Sequence, residues 1–266
     1  MTSRCSYCNT PALVEKSNLP GLEPDNIIPF KIDKKGASEQ FVEKTKKKYF
    51  LPNEFKKNIP STQIGSTYIS AMAFSMNVYA TYSGVEREEK TVGFGKDQKT
   101  ITHYNHFSGN VDKFFDNIVI ECSDKINQNQ INGVLPYNFQ ECYKYNNDFT
   151  SGYTVEYYNQ PVENSKVVAE KQALKEIDKM IRAKYSNIDS LTINPTYSNH
   201  KLSYVLLPLY FINFKYKQKQ YLNLMNGQTG KTYGKVPRSP VKITFFVLLM
   251  LAIFIGIPAI ITMLTM

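Results

Sequence analysis

Apolar and polar positions along this chain fall into stretches of two different periods. From Lys35 to Tyr49, Ala37, Phe41, Val42, Thr45 and Tyr49 lie on one helical face, with Ser38 as the cap and Pro52 closing the segment. This predicts an amphipathic helix with a lysine-rich outer face. Residues 165 to 185, SKVVAEKQALKEIDKMIRAKY, place Val167, Leu174, Ile177 and Ile181 on a second stripe, with Ala173 and Met180 beside it and Ser165 at its start. Between the two helices, residues 67 to 82, TYISAMAFSMNVYATY, are mostly apolar or aromatic, and residues 91 to 107 alternate. With turns near Gly84 and Gly95 they read as a β-meander. After the second helix, Phe214 and Tyr216 alternate with Lys215, Lys217 and Lys219, while Asn226-Gly227 and Thr229-Gly230 carry tight-turn chemistry. Two or three antiparallel strands are expected there.

The two halves share a spacing: Tyr68, Phe74 and Asn77 match Tyr204, Tyr210 and Asn213, each set following a helix. Three positions in a chain rich in aromatics also match by chance, so duplication is one of two readings. The expected fold class is α+β, with antiparallel sheets each packed by an amphipathic helix, a duplicated helix-sheet unit in the first reading, and one C-terminal transmembrane helix. Residues 1–30 are expected to hold a short CxxC-bearing start, a zinc-ribbon remnant on the resemblance given below, and a linker rich in Pro and Gly, 31–160 a first α+β unit, 161–240 a second, and 243–266 the membrane helix.

That last segment reads ITFFVLLMLAIFIGIPAIITMLTM, 24 residues without a charge. At about 1.5 Å per residue it matches a hydrocarbon core of roughly 30 Å. Lys235, Arg238 and Lys242 flank it on the N-terminal side, so the positive-inside rule puts the body in the cytoplasm and makes the chain a single-pass, tail-anchored membrane protein. The same three cations suit contact with anionic lipid. Residues 10 to 20 hold no apolar signal core.

Aromatic residues are all Tyr and Phe, and hydrophobic residues make up 42% of the chain, which suits a folded, strand-rich body and not a disordered one. The net charge of +9 favours anionic partners, whether phospholipid, nucleic acid or acidic protein. The alternative is that the lysines are ordinary solvated faces.

Cys5 and Cys8 form a CxxC with the spacing of a zinc half-site, but a structural site needs four ligands. Cys122 and Cys142 lack paired spacing, and His103 and His106, three apart on a strand, face opposite sides. A homodimer would bring two CxxC pairs to one zinc; otherwise the pair is two idle thiols. Cys5 and Cys8 are the candidate metal ligands. No nucleophile elbow or HExxH occurs, and Gly93-Phe94-Gly95 is too short to cradle phosphate, so no catalytic or cofactor-binding residue is named and no enzyme is expected.

The segments CSYC at 5–8, PDNIIPFKIDKKGA at 24–37, SGYTVEYY at 151–158 and LSYVLLPLYFINFKYKQKQYLNLMNGQTGKTYGKVP at 202–237 together resemble a family of uncharacterised bacterial zinc-ribbon-containing membrane proteins. Their ribbon is like that of transcription initiation factor B. The resemblance implies a four-cysteine ribbon, an α+β body and C-terminal hydrophobic spans; here only Cys5 and Cys8 match the ribbon. The strand-turn-strand around NGQTGK is also similar to peptidase-propeptide-like modules, which implies a binding or inhibitory body. The expected function is a tail-anchored, cytoplasm-facing adaptor or binding protein that is not an enzyme, with an unknown protein partner. The alternative is a membrane-tethered nucleic-acid binder using the ribbon and the lysines.

Overall fold

The computed structural model describes residues 2–4, 11–13, 23–59, 64–93, 98–123, 126–156 and 162–264, with side chains from 23 to 254. Two short strands, β1 (Thr2–Arg4) and β2 (Pro11–Leu13), pair with each other. The rest is organised by one mixed eight-stranded sheet. In chain order its elements are β3 (Asn26–Ile27), α1 (Lys34–Lys46), α2 (Asn53–Lys57), β4 (Ile64–Val92), β5 (Lys99–Glu121), α3 (Gln128–Val134), β6 (Tyr143–Lys144), β7 (Thr154–Glu156), α4 (Val162–Lys184), β8 (Ile188–Tyr216), β9 (Lys219–Asn226), β10 (Thr232–Gly234) and α5 (Pro240–Leu264).

The centre of the sheet is the antiparallel pair of β4 and β8, each 29 residues long. β5 pairs with the far side of β4, and β9 with the far side of β8. The parallel partners are short: β3 on β8 and β7 on β4. The two halves of the suspected repeat lie on these two paired strands, Tyr68 opposite Pro208 and Tyr204 opposite Met72. The expected fold class is thereby corrected. Instead of separate antiparallel sheets each backed by its own helix, one dominant mixed sheet is flanked by helices, because β4 and β8 find their hydrogen-bond partners in each other.

Burial along these two strands explains their sequences. Residues 67 to 76 of β4 and 204 to 212 of β8 are buried without interruption, as expected where both sheet faces are covered. One face carries α3 and the segment after it, with Ile131, Val134 and Tyr137 on Ile69, Ala71, Val205 and Leu207. At the β9 end, Ala37 and Phe41 of α1 and Phe55 of α2 pack on Tyr210, Ile212, Phe214 and Met225.

From Asn77 to Ser83 the pattern of β4 turns to alternation. Two register shifts sit level with one another, between Phe74 and Met76 against β5 and between Ser75 and Asn77 against β8. The extra residues adopt positive φ at Asn117 (52°) and Asn199 (52°), a conformation that Asn tolerates better than branched residues. Ser75 Oγ holds this level together: it donates to Asp116 Oδ1 at 2.8 Å and accepts from Asn117 N at 3.1 Å. Past these bulges β4, β5 and β8 continue as a three-stranded arm, and β4 alone, at about 3.3 Å per residue, would extend some 95 Å if flat.

α4 lies along one face of the arm. Its Ala169, Ala173, Ile177 and Ile181 recur every fourth residue and meet Met76, Val78, Ala80 and Tyr82, with Val111, Leu191 and Ile193 packed against them. The predicted stripe is rotated: Val167 and Met180 are exposed, and Ser165 is buried inside the helix, not capping it. Small residues at the contact let the helix come close to the sheet. In α1, Asp33 and not Ser38 is the cap, accepting from Gly36 N, and Tyr49 is exposed.

α5 stands with apolar side chains exposed on all sides from Val241 to Phe254, touching the body through Phe246 on Phe50. Among the described residues, no helix is long and apolar enough to cross a membrane. The part of α5 with described side chains, Pro240 to Phe254, covers about 22 Å against a hydrocarbon core of roughly 30 Å. The transmembrane helix, the tail-anchored topology and the cytoplasmic orientation that rested on it are withdrawn on that finding.

Candidate binding surface

The sequence-predicted metal ligands Cys5 and Cys8 lie outside the described residues. Among the described residues, no group of three or more His, Cys, Asp and Glu could hold a metal ion. Cys122 is buried; its thiol is pushed up to about 11 by desolvation, against a hydrogen bond with Ser165 that acts the other way. Cys142 is half-buried, and burial raises its thiol too. His103 lies opposite Glu88 and His106 opposite Val85, on opposite faces of the arm.

NGQTGK, the most specific motif, is a keystone of the fold. Asn226 Nδ2 donates to the carbonyls of Val134 (3.0 Å) and Pro136 (3.2 Å), and its Oδ1 accepts from Gln228 N (2.8 Å) and Thr229 N (2.9 Å). Gln228 Nε2 donates to Asn138 O and Glu141 Oε2, and its Oε1 accepts from Asn138 N. Gly227 O accepts from Lys31 N and Ile32 N, and a side chain at Gly227 would strike the Phe30 ring at 2.4 Å. Lys31 pairs with Glu141 at 2.6 Å and holds that carboxyl below its usual range.

Several lysines that suggested anionic partners are used internally. Lys44 Nζ donates to Gly230 O, Lys231 Nζ to Leu135 O, and Lys242 Nζ to Leu51 O and Asn53 Oδ1. Lys48 is held below its ordinary value by burial and by nearby Arg238. At the end of α4, Tyr82 and Tyr185 share a hydroxyl contact of 3.4 Å, with Lys184 Nζ 3.4 Å from Tyr82 Oη. The hydrogen bond from Tyr82 pulls Tyr185 below its ordinary value.

The arm face opposite α4 is different. Alternation brings odd positions of β4 and even positions of β5 and β8 to it, and Tyr79, Thr81, Ser83, His106, Ser108, Thr192 and Asn194 are all exposed. The register sets them in rows: Asp112–Tyr79–Thr196, then Asn110–Thr81–Asn194, Ser108–Ser83–Thr192 and His106–Val85–Ser190. Phe114 (56% exposed) ends the face towards the bulges, and Tyr104 (58%) stands beyond His106. Two rows bound a depression of about 330 Å³, lined by Ser83, Val85, His106, Ser108, Ser190 and Thr192 with the backbone around Gly84 and Phe107. Sequence reading missed this surface, because Gly84 looked like a turn. In the structure it continues the strand, since a side chain there would meet the Phe107 ring and Ser190 O at 2.5 Å. A second hollow, about 590 Å³, lies beside β6 between Glu23, Tyr143 and Phe149.

Fold and surface together define a mixed-sheet protein with a projecting three-stranded arm, one face covered by a helix and the other open. The chain is 28% identical over 231 residues to the uncharacterized protein YdjG of Bacillus subtilis (strain 168), a match covering 84% of this chain and 66% of that protein's length. No family model and no solved structure matches. The expected membership of the zinc-ribbon membrane family is therefore withdrawn: it rested on a single CxxC and on loosely spaced segments, and neither a family match nor a metal-holding group among the described residues supports it.

Proposed function

We propose that this chain is a binding protein and not an enzyme, and that it engages its partner through the open face of the arm. The observation that carries this reading is the exposure of Tyr79 and Phe114 on a sheet whose opposite face is packed against α4, with Tyr104 exposed on the same open face beyond the end of that helix. A long arm costs conformational entropy to order, about 1–2 kcal/mol per residue for the backbone. Much of that is offset by α4, yet α4 covers one side alone. Exposed rings on a rigid, preorganised sheet are the kind of anchor that dominates binding energy elsewhere.

A photo-crosslinking amino acid placed at position 104, compared with the same group at Lys171 on the outer side of α4, tests this in extracts of the source cell. Light-dependent adducts at 104 and none at 171 are expected. Equal labelling at both positions, or none at 104, would sink the reading.

A further inference from the structure

We propose that the ligand of the open face is an uncharged carbohydrate chain, seated over the depression between His106 and Thr192; this rests on the binding role proposed above. Charge comes first. The chain carries 32 Lys and Arg against 23 Asp and Glu, yet the rows from Asn77 to Glu89 present Arg87, Glu89 and Asp112 and no lysine. In a protein of net charge +9, this face is close to neutral. A phosphate backbone or an acidic polymer would find a single cation here, Arg87, already paired with Glu89 at 3.3 Å, so the electrostatic match is to an uncharged ligand.

Hydrogen-bonding chemistry narrows it further. The depression of about 330 Å³ is bounded by the hydroxyls of Ser83, Ser108, Ser190 and Thr192 and by the His106 imidazole. A hydroxyl both donates and accepts, and a neutral imidazole does each at one nitrogen. The β-sheet sets these groups on a grid of roughly 4.8 Å between strands and about 6.7 Å between rows on one face. A ligand that carries closely spaced hydroxyl or acetamido groups can satisfy such a grid in either direction of each bond. An apolar side chain or a lipid tail would strand the hydroxyls without partners.

Rings complete the argument. Tyr79 (44% exposed) and Tyr104 lie on the same face on either side of the depression, Tyr79 two rows before Ser83 and Tyr104 one row past His106. The C–H face of a pyranose packs on an aromatic ring, whose electron-rich face attracts it. Tyr79 is already oriented, its Oη accepting from Asn110 Nδ2 at 3.3 Å. Ring, hydroxyl cluster and ring thus follow one another along the strands, the order in which successive sugars of an extended chain would meet them.

The test is calorimetric titration of the full chain with tetramers of glucose and of N-acetylglucosamine, and with an acidic tetramer of galacturonate. Binding of a neutral tetramer with a dissociation constant on the order of 0.1 mM is expected, weakened at least tenfold by Ser108→Ala with Thr192→Val and separately by Tyr104→Ala, with unchanged melting. The substituted positions are exposed, so folding is spared. Binding of the acidic tetramer alone, or neutral binding that both variants leave intact, overturns the proposal. If no tetramer binds while the crosslinker at position 104 captures a polypeptide, the carbohydrate is wrong and the open-face reading stands; if neither gives a signal, both fail.

Discussion

Asn226 shows how much one residue can organise. Of its four hydrogen bonds, two close the turn after β9 on Gln228 N and Thr229 N, and two tie that turn to the carbonyls of Val134 and Pro136 at the end of α3. Removing the side chain leaves buried groups unpaired, at about 1–3 kcal/mol for each. We expect Asn226→Ala to lose about 3 kcal/mol in urea unfolding, and Asn226→Asp more, since its carboxylate would face the Val134 and Pro136 carbonyls. A loss below about 0.5 kcal/mol would show that the turn is not a keystone. Cys122 supplies a second residue-scale expectation. Its thiol is raised in the folded protein to about 11 and is ordinary when unfolded. Between those values the unfolded state has lost the proton that the folded state keeps, so stability is constant below the unfolded value and falls as pH rises towards 11. In a Cys5→Ser, Cys8→Ser, Cys142→Ser background, Cys122 should resist a thiol reagent at pH 8 until denaturant is added; rapid labelling of the native protein would contradict its burial.

Among the elements, the arm depends on two devices that are invisible to periodicity. The paired bulges at Asn117 and Asn199 divide the doubly covered part of the sheet from the singly covered arm. We expect Asn199→Gly to be tolerated and Asn199→Val to destabilise by about 1–2 kcal/mol, because a branched side chain is strained at positive φ. Equal stability of the two variants in a denaturant titration would remove the backbone explanation. At Gly84 there is no room for any side chain, and Gly84→Val should cost about 2 kcal/mol or more through the Phe107 ring and the β8 backbone. The hairpin between β8 and β9 is closed by Lys217 and Gln218, with Lys217 at positive φ (54°). Neither residue announces a turn, so the alternation in the sequence runs straight through to Lys219.

For the whole molecule, the body and α5 differ in kind. The body buries three contiguous apolar clusters, whereas α5 leaves apolar side chains uncovered between Val241 and Phe254. Ending the chain after Lys242 keeps the inward bonds of that lysine to Leu51 and Asn53. We expect the shortened protein to melt within a few degrees of the full chain, as for a change of under about 1 kcal/mol, and to run as a single species by light scattering where the full chain self-associates. A large fall in melting temperature would mean that α5 belongs to the core.

Local order in this chain is legible from side-chain periodicity. The spans of α1 and α4, the mostly apolar stretch at 67–82 and the tight turn at Asn226-Gly227 each follow from residues within a few positions of one another. Which face of α4 is buried was not legible, because alanines every fourth residue compete with the larger Val167 and Met180, and only the closeness of the sheet decides between them. Nor was the pairing of β4 with β8, which joins residues more than a hundred positions apart and turns two apparent units into one sheet. The open face depended on the same long-range register. Ser83, Ser108 and Thr192 are unremarkable polar residues in three distant segments, and they become neighbours because backbone hydrogen bonding aligns the strands and two bulges set their phase.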